Sequence, residues 1–546
     1  MELAELRRRL DDPTTAEAWL RPWSVVDPAR AHAVLVRLAE SGVTLDLLND
    51  LCAQSAECLP RSSDADLAFD SLGRFFEAAR SPLALAALFE RDREALPTLV
   101  QMFSSSRHLG DVLVADGESY DLLRLTEGHP VNRETLVGEL QAETAALDDE
   151  AAVVTALRRF KRRETLRIAY GDIVRNQRLQ TVTSQISYLA DAVLEAAVSF
   201  ARGRLERKRG VPKRPDGRPA RFVVLALGKL GGNELNYSSD VDLVFLYDHD
   251  GRTEAPSGTP RTGPGLSNAE FFERLAQDVV RLLTEATPLG VAYRVDLRLR
   301  PDGERGPLVR SLDAMMQYYD LQGRTWERQA YVKARPAAGD LALGAELLAY
   351  LESWIYRRYL SLADITGIKA LKRRLERRVI REGHDDRNVK TGRGGIRDVE
   401  FVIQFLQLLN GGDLPDLRVG NTLEAVARLE QCGCLTHQER TILEENYGFF
   451  RKIEHRLQIM FDLQTHLVPS DPVEVRRLAI RLGYVDGPQA SALEAFEAEY
   501  RAKSELSRKI LDHLLHDAFG EDAATEPEVD LVLDPDPPRE RVAEVL

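Results

Sequence analysis

The chain has 546 residues, of which 44% are hydrophobic and 29% charged, with a formal net charge of −14. Its length exceeds what one core fills, so several domains are expected, and it holds no apolar run of about 18 residues that would predict a membrane helix. The acidic balance argues against a surface for nucleic acid, and four cysteines in so long a chain predict a reducing, cytoplasmic environment.

The first region, residues 1–207, is predicted to be a helical domain. Apolar residues recur there at three- and four-residue steps, as at Ile186, Leu189 and Val193, which is the stripe of a 3.6-residue helix. A basic, proline-containing stretch at 208–220 breaks this pattern. We interpret that stretch as a solvated linker.

The pattern changes in residues 221–337, which we predict to be a small mixed α/β unit. Short apolar or alternating runs there predict three strands, at Phe222–Leu227, Asp240–Tyr247 and Val291–Arg300. Ser267 and Glu270 have the spacing of a capping box, which predicts that a helix begins there and runs to about Ala286.

The helical period returns after Pro336, and residues 338–519 are predicted to be a helical bundle. A glycine-rich piece, Lys390–Ile396, interrupts it. The end, 520–546, is acidic and proline-rich, a composition that cannot bury a core and indicates a linker or tail. The predicted fold class is therefore α+β, with a small mixed sheet flanked by two helical domains.

Asp240 and Asp242 carry the strongest chemical signal. In an extended chain, residues i and i+2 point to the same side, so both carboxylates leave one face of the second strand. Two close carboxylates repel unless a cation lies between them, and hard oxygen ligands suit Mg²⁺ bound to phosphate. The glycine- and serine-rich stretch at 228–239 supplies small residues where a backbone could approach that phosphate.

The third predicted strand adds a carboxylate among guanidiniums. Alternation places Arg294, Asp296, Arg298 and Arg300 on one face. By itself this face could be a salt-bridged strand or a site that binds metal and phosphate. Beside the Asp-x-Asp strand it favours a site, because three carboxylates on neighbouring strands suit two-metal phosphoryl or nucleotidyl transfer.

The run Gly228–Leu243 resembles the nucleotidyltransferase motif of the glutamine synthetase adenylyltransferase family, in the DNA polymerase β-like superfamily. The resemblance extends over roughly 160–470 and includes three further segments in order: Arg294–Pro301, Gly323–Arg335 and Gly394–Phe401. It implies a polymerase β-like core at 221–337, two Mg²⁺ ions, and a nucleotide (ADP or ATP) and inorganic phosphate as substrates or products.

The resemblance also implies roles for single residues. Asp240, Asp242 and Asp296 would be the catalytic metal ligands. Candidates for phosphate or nucleotide binding are Gly228, Lys229, Gly231, Gly232, Ser238, Ser239, Arg298, Arg300, Lys333 and Arg335. Asp398 and Glu400 allow two interpretations: acidic residues that complement a helix N-terminus, or an acidic pair that faces the active site.

Members of this family carry two related halves, one that removes AMP by phosphorolysis and one that transfers AMP from ATP. This chain has one such unit, and its segments at 323–335 and 390–401 look more like the AMP-removing half. The resemblance implies phosphorolytic removal of AMP from a tyrosine of glutamine synthetase, with a PII-type signalling protein as a further partner and neither nucleic acid nor membrane. The alternatives are AMP transfer to the same tyrosine and a non-catalytic docking regulator.

Overall fold

The computed structural model describes residues 1–255, 265–358, 387–461 and 463–519. Most of these residues are helical. No helix in the described ranges is both long enough and apolar enough to cross a bilayer. In chain order the α-helices are α1 Leu3–Asp11, α2 Ala16–Leu20, α3 Pro28–Glu40, α4 Leu45–Cys58, α5 Ala65–Ala78, α6 Pro82–Arg91, α7 Ala95–Ser105, α8 Arg107–Ala115, α9 Glu118–Thr126, α10 Arg133–Ala145, α11 Glu150–Ile173, α12 Leu179–Arg209, α13 Gly228–Gly231, α14 Asn268–Thr284, α15 Leu312–Leu321, α16 Thr325–Tyr331, α17 Leu341–Ile355, α18 Ile396–Asn410, α19 Thr422–Gln431, α20 His437–Phe461, α21 Pro472–Arg481 and α22 Ala492–Phe519.

Tertiary contacts divide the chain into two compact units. The helical unit contains 1–130, 162–182 and 451–501, and the sheet unit contains 131–161, 183–450 and the chain from 502 onward. These units group segments that are far apart in sequence, whereas the predicted boundaries at 207 and 337 follow changes of sequence pattern. The predicted tail at 520–546 lies outside the described residues.

In the helical unit, local signals place the helix starts. Asp27 and Ser81 each accept a backbone N–H three residues ahead, and a proline occupies the first turn of the helix that follows. Aromatic side chains fill the core between the helices, with edge-to-face contacts such as Trp23 on Phe69 at 5.7 Å between ring centroids.

The strands lie in the sheet unit. They are β1 Val211–Pro212, β2 Phe222–Leu227, β3 Val241–Tyr247, β4 Thr253–Glu254, β5 Val295–Asp296, β6 Val309–Ser311 and β7 Arg335–Gly339. In the main sheet the order is β5-β3-β2-β7, and β6 pairs with the far end of β3. Strand β2 is antiparallel to β3 and β7, whereas β5 and β6 run parallel to β3.

Both faces of this sheet are covered. On one face, Val223, Leu225 and Leu246 join a core with side chains of α15, α16 and α17. On the other, Phe272 of α14 stacks on Phe222 with ring centroids 5.5 Å apart. Strand β2 is a continuous apolar run, and all of its residues are buried, as expected for a strand covered on both faces. The fold is α+β with a small mixed sheet and flanking helices, as the sequence predicts.

Several local predictions are confirmed. Strand β2 has the predicted bounds, β3 begins one residue later than predicted, and the capping box of Ser267 and Glu270 opens α14. The stretch 208–220, interpreted as a linker, contributes β1, which pairs with β4.

The third strand is shorter than predicted, and the prediction of continuous alternation to residue 300 was wrong. Within the predicted third strand, only Val295 and Asp296 pair with β3. The Arg300 backbone N–H donates to Leu297 O at 3.3 Å, and the Arg300 side chain donates to the same carbonyl at 2.8 Å. A turn held by these hydrogen bonds replaces the strand, so Arg298 and Arg300 lie beyond the strand register.

Candidate active site

The parallel pairing of β3 and β5 brings two of the three carboxylates side by side. Asp242 lies directly opposite Asp296 in the register, and the backbone N–H of Val241 donates to Arg294 O at 2.9 Å. Asp240 precedes β3 by one residue, so all three acidic residues lie at the same end of this strand pair. All three are partly buried, while Val241 is buried completely.

Two of these carboxylates form ion pairs with arginines. Arg294 Nε donates to Asp240 Oδ1 at 2.6 Å. Arg298 forms an ion pair with Asp296, in which Nε lies 3.0 Å and Nη2 2.5 Å from Asp296 Oδ2. The hydrogen bonds from Arg298 hold the pKa of Asp296 below its usual value, because they stabilise the charged form.

Asp242 is in the opposite situation. Within the described ranges, no hydrogen bond or ion pair reaches its side chain. Burial first, and then the charges of Asp296 and Asp240, raise the pKa of Asp242 to about 6. A carboxylate destabilised by two like charges is where a cation would be most strongly attracted.

The donor set fits a divalent ion, but the arrangement does not yet form a cage. Across the described residues, no three carboxylate, imidazole or thiolate side chains converge closely enough to hold a metal. Asp240 and Asp296 are held in ion pairs with Arg294 and Arg298. Three carboxylates are hard oxygen donors, the type of ligand that suits Mg²⁺.

Because Gly228 has no side chain, the space beside Asp242 stays open. Gly228 adopts a left-handed conformation with φ of +56°, and a Cβ there would lie 2.4 Å from Asp242 Oδ2. The other predicted glycines serve backbone packing instead, since a Cβ on Gly231 would lie 2.0 Å from Lys333 O and one on Gly232 2.9 Å from Gly420 O. Lys229 follows Gly228 in α13.

The two predicted serines lie in the turn before β3. Ser238 is held near the carboxylates through Arg294, whose Nη2 lies 3.3 Å from Ser238 O and 3.4 Å from Ser238 Oγ. Ser239 Oγ accepts the backbone N–H of Asn236 at 3.3 Å, which closes the turn.

The predicted basic residues divide into two groups. Arg298 contacts Asp296 directly, and Arg300 binds carbonyls of the turn that follows β5. Lys333 is buried, with its Nζ 2.7 Å from Glu234 Oε2 and 3.0 Å from Thr422 Oγ1. Arg335, on β7, pairs with both carboxylate oxygens of Asp191 at 2.8 and 2.9 Å. The structure therefore engages Lys333 and Arg335 with partners other than the three carboxylates.

Asp398 and Glu400 also have different surroundings. Asp398, in the first turn of α18, accepts the backbone N–H of Gly394 at 3.0 Å, a contact typical of an acidic residue at a helix start. Glu400 accepts the Tyr447 hydroxyl at 2.9 Å and lies 3.6 Å from Lys333 Nζ, so it belongs with the buried Lys333 group.

Lys390, which the sequence pattern does not predict at the cluster, acts electrostatically on Asp242. Its charge lowers the pKa of Asp242, opposing the two acidic neighbours. The Lys390 loop is tied down locally, since Asn388 Oδ1 accepts its backbone N–H at 3.0 Å and its carbonyl accepts Arg397 N–H at 3.0 Å. The only signal in the sequence was the glycine-rich interruption of the helical pattern, which says nothing about its tertiary neighbour.

Comparison with known proteins finds two family models and several related enzymes. The model of the glutamate-ammonia ligase adenylyltransferase family matches residues 96–350, and that of the GlnD PII-uridylyltransferase family matches residues 369–515. A bifunctional glutamine synthetase adenylyltransferase/adenylyl-removing enzyme of Pseudomonas aeruginosa is 38% identical over 442 residues, which is 80% of this chain and 44% of the relative.

A protein of the same description from Rhodopseudomonas palustris strain TIE-1 is 38% identical over 456 residues, 81% of this chain and 45% of its own. One from strain CGA009 of that species is 36% identical over 510 residues, 87% of this chain and 50% of its own. The chain thus spans about half the length of the curated relatives it matches. Residues 96–350, which include the main sheet, thus match the glutamate-ammonia ligase adenylyltransferase family.

Proposed function

We propose that this chain removes AMP from an adenylylated tyrosine of glutamine synthetase by phosphorolysis, with phosphate consumed and ADP released. The observation that carries the proposal is the pairing of Asp242 with Asp296 across β3 and β5, with Asp240 beside them. The printed names of the relatives, which include adenylyl removal, support the reaction class. The likeness of residues 323–335 and 390–401 to the AMP-removing half supports the direction.

The reaction requires little acid–base catalysis from the protein. A phosphate oxygen bonds to the AMP phosphorus while the bond from phosphorus to the tyrosine oxygen breaks, and the phenolate takes up a proton from solvent. Because a phenol has a pKa of about 10, the phenolate leaves without a strong general acid. Stabilisation of charge on the phosphates is then the main requirement.

The residues of the cluster divide this work. Asp240, Asp242 and Asp296 would hold divalent ions, which when bound neutralise charge on the phosphates. Arg294 and Arg298 would exchange their carboxylate partners for phosphate oxygens, which a guanidinium fork matches equally well. Gly228 leaves room beside Asp242, and Lys390 adds positive charge near it.

We propose glutamine synthetase as the protein substrate and a PII-type signalling protein as a regulator. The first rests on the names of the relatives, and the second is supported by the match of residues 369–515 to a PII-uridylyltransferase model.

Two incubations of the full chain test the direction. With adenylylated glutamine synthetase, Mg²⁺ and inorganic phosphate, we expect ADP and unmodified synthetase. With unmodified synthetase, Mg²⁺ and ATP, we expect no adenylylation. Turnover only in the second incubation would establish AMP transfer instead, and binding of the synthetase without turnover in either would establish a docking regulator.

Replacing Gly228 by Ala should inactivate the enzyme. The new Cβ would lie 2.4 Å from Asp242 Oδ2 and would stand at a positive φ, a conformation that costs an L-residue roughly 1–2 kcal/mol. We expect ADP release to fall about 100-fold, since displacement of a reacting group by about 1 Å has an effect of that size. Steady-state ADP release with adenylylated synthetase measures it.

Gly217→Ala is the matched control, because Gly217 has a positive φ of +81° and open space around its would-be Cβ. It should lose roughly 1 kcal/mol of stability and retain activity. Equal activity in the two variants would show that the space beside Asp242 is not used.

Replacing Lys390 by Met should slow turnover about tenfold. Removal of one positive charge near the carboxylates weakens the attraction for phosphate by roughly 1–2 kcal/mol, as expected at an effective dielectric constant of about 20. The loss should be accompanied by an upward shift in the acidic limb of the pH–rate profile, because Lys390 lowers the pKa of Asp242. The exposed Lys452, changed in the same way, is the control. An unchanged profile in Lys390→Met would remove Lys390 from the site.

A further inference from the structure

The helical unit contains a cavity of about 630 Å³, large enough for a small metabolite. Side chains of α4, α7 and α21 line it, together with the turn that follows α4. Val100 and Ile480 supply part of an apolar wall. The charged lining residues are Glu57, Arg61, Arg481 and Arg93, of which Arg93 is paired with Asp50. The lining therefore favours an anionic ligand.

Arg481 has hydrogen-bond donors to spare. Its Nη2 donates to Ser104 O at 2.7 Å, whereas its Nε and Nη1 are buried and have no partner among the described residues. Burial lowers the pKa of Arg481 to about 10, against the attraction of Asp64 and Glu474. Each buried donor left without a partner costs about 1–3 kcal/mol, and native proteins seldom retain such groups unless a ligand or water satisfies them.

Gln54 offers an acceptor in the same cavity. Its Nε2 donates to Asp50 Oδ2 at 2.8 Å and to Phe89 O at 2.9 Å, which fixes the orientation of the amide. Its Oε1 is then left buried without a partner in the described part of the chain. Two residues of the lining, Arg481 and Gln54, therefore carry polar atoms without a partner among the described residues.

Arg61 and Arg93 differ from Arg481 in exposure. Arg61 is exposed, and Arg93 is held by Asp50 at 2.6 Å with 60% of its side chain exposed. They can attract an anion, but an exposed ion pair contributes little binding energy. Arg481 is the residue that would determine affinity, because a charged hydrogen bond is strongest where water is excluded.

We propose that this cavity binds a small organic anion, whose carboxylate or phosphate group accepts hydrogen bonds from Arg481 and whose hydroxyl or amino group donates to Gln54 Oε1. The site belongs to the helical unit and uses none of the residues assigned to AMP removal. It is therefore a second ligand site of this chain, beyond the proposed reaction.

Calorimetric titration of the full chain tests the proposal. The probes are malate, succinate, glycerol 3-phosphate and inorganic phosphate, each in EDTA so that metal-dependent binding at the aspartates does not contribute. We expect at least one organic probe to bind with a submillimolar Kd, and the pair of carboxylates and the pair of phosphates show which oxyanion is preferred. Malate should bind at least threefold more tightly than succinate, which lacks the hydroxyl group. No binding of any organic probe at 10 mM would overturn the proposal.

Arg481→Met should weaken binding of the best probe at least tenfold. Arg476→Met, on the same helix but exposed and paired with Asp486, is the matched control and should bind as the parent does. Equal affinity in Arg481→Met and the parent would overturn the site. If Arg481→Met does not fold, Arg61→Met at the exposed rim should weaken binding at least threefold, and an unchanged affinity there would overturn the site instead.

Discussion

Replacing Asp242 by Asn should reduce the release of ADP from adenylylated glutamine synthetase by about 10³-fold or more. Loss of one carboxylate from a metal-binding cluster removes several kcal/mol of transition-state stabilisation, which corresponds to a factor of this order. Asp242 is the member of the cluster that lies opposite Asp296 and that no hydrogen bond or ion pair of the described residues engages. Retention of more than a tenth of the parent activity would contradict the proposed centre.

The same substitution should stabilise the metal-free protein. The pKa of Asp242 rises from 3.8 to about 6 in the folded state, a difference of about two units. At 1.36 kcal/mol per unit, ionised Asp242 costs the folded protein about 3 kcal/mol at neutral pH. The folded state binds its proton more tightly, so the parent loses stability as the pH rises from about 4 to about 6. The Asn variant lacks this loss.

Urea denaturation in EDTA at pH 4 and pH 7.5 measures the effect. The advantage of Asp242→Asn should be about 3 kcal/mol at pH 7.5 and close to zero at pH 4. Asp240→Asn is the control: it relieves part of the repulsion on Asp242 but breaks the ion pair with Arg294 at 2.6 Å, so its gain should be smaller than that of Asp242→Asn. Addition of Mg²⁺ should stabilise the parent and not Asp242→Asn. An Asn variant less stable than the parent at pH 7.5 would show that Asp242 serves the fold.

Replacing Lys333 by Met should destabilise the protein by about 3–5 kcal/mol. Lys333 and Glu234 are both buried and lie 2.7 Å apart, and Glu400 lies 3.6 Å from the same ammonium group. Removing one partner of a buried pair leaves an uncompensated charge, and a loss of this size is typical. Equilibrium urea denaturation at pH 7.5 measures the loss.

Two further variants make this result specific. Lys509→Met removes an exposed ion pair with Glu505 and should cost less than about 1 kcal/mol. Lys333→Met combined with Glu234→Gln should recover part of the stability, because the buried negative charge goes with its partner. A loss below 1 kcal/mol in Lys333→Met would free Lys333 for the phosphate-binding role that the resemblance implies.

The elements with local signals can be predicted from the order of the amino acids alone. The apolar run at Phe222–Leu227 can only be satisfied by burial on both faces, and the capping box of Ser267 and Glu270 satisfies the first backbone donors of α14 without help from the rest of the chain. The joint placement of Asp240 and Asp242 at the start of β3 follows from the two-residue period of a strand. Local patterns therefore led to the fold class and to the acidic pair.

The partners of those side chains, in contrast, depend on how the chain folds in three dimensions. Arg294 and Arg298 bind Asp240 and Asp296, and the turn after β5 takes Arg300 out of the strand that its alternating pattern predicts. A turn of this kind competes successfully with a strand because it satisfies the same backbone groups at lower cost in long-range order.

Lys333 and Lys390 are two further residues whose partners the sequence did not predict. The first, expected at the phosphates, is buried against Glu234, whereas the second, not expected at all, contributes its charge to Asp242. Both outcomes depend on residues far away along the chain. Secondary structure follows from near neighbours, but pairing of charges follows from burial and distance in three dimensions, which a single sequence does not encode locally.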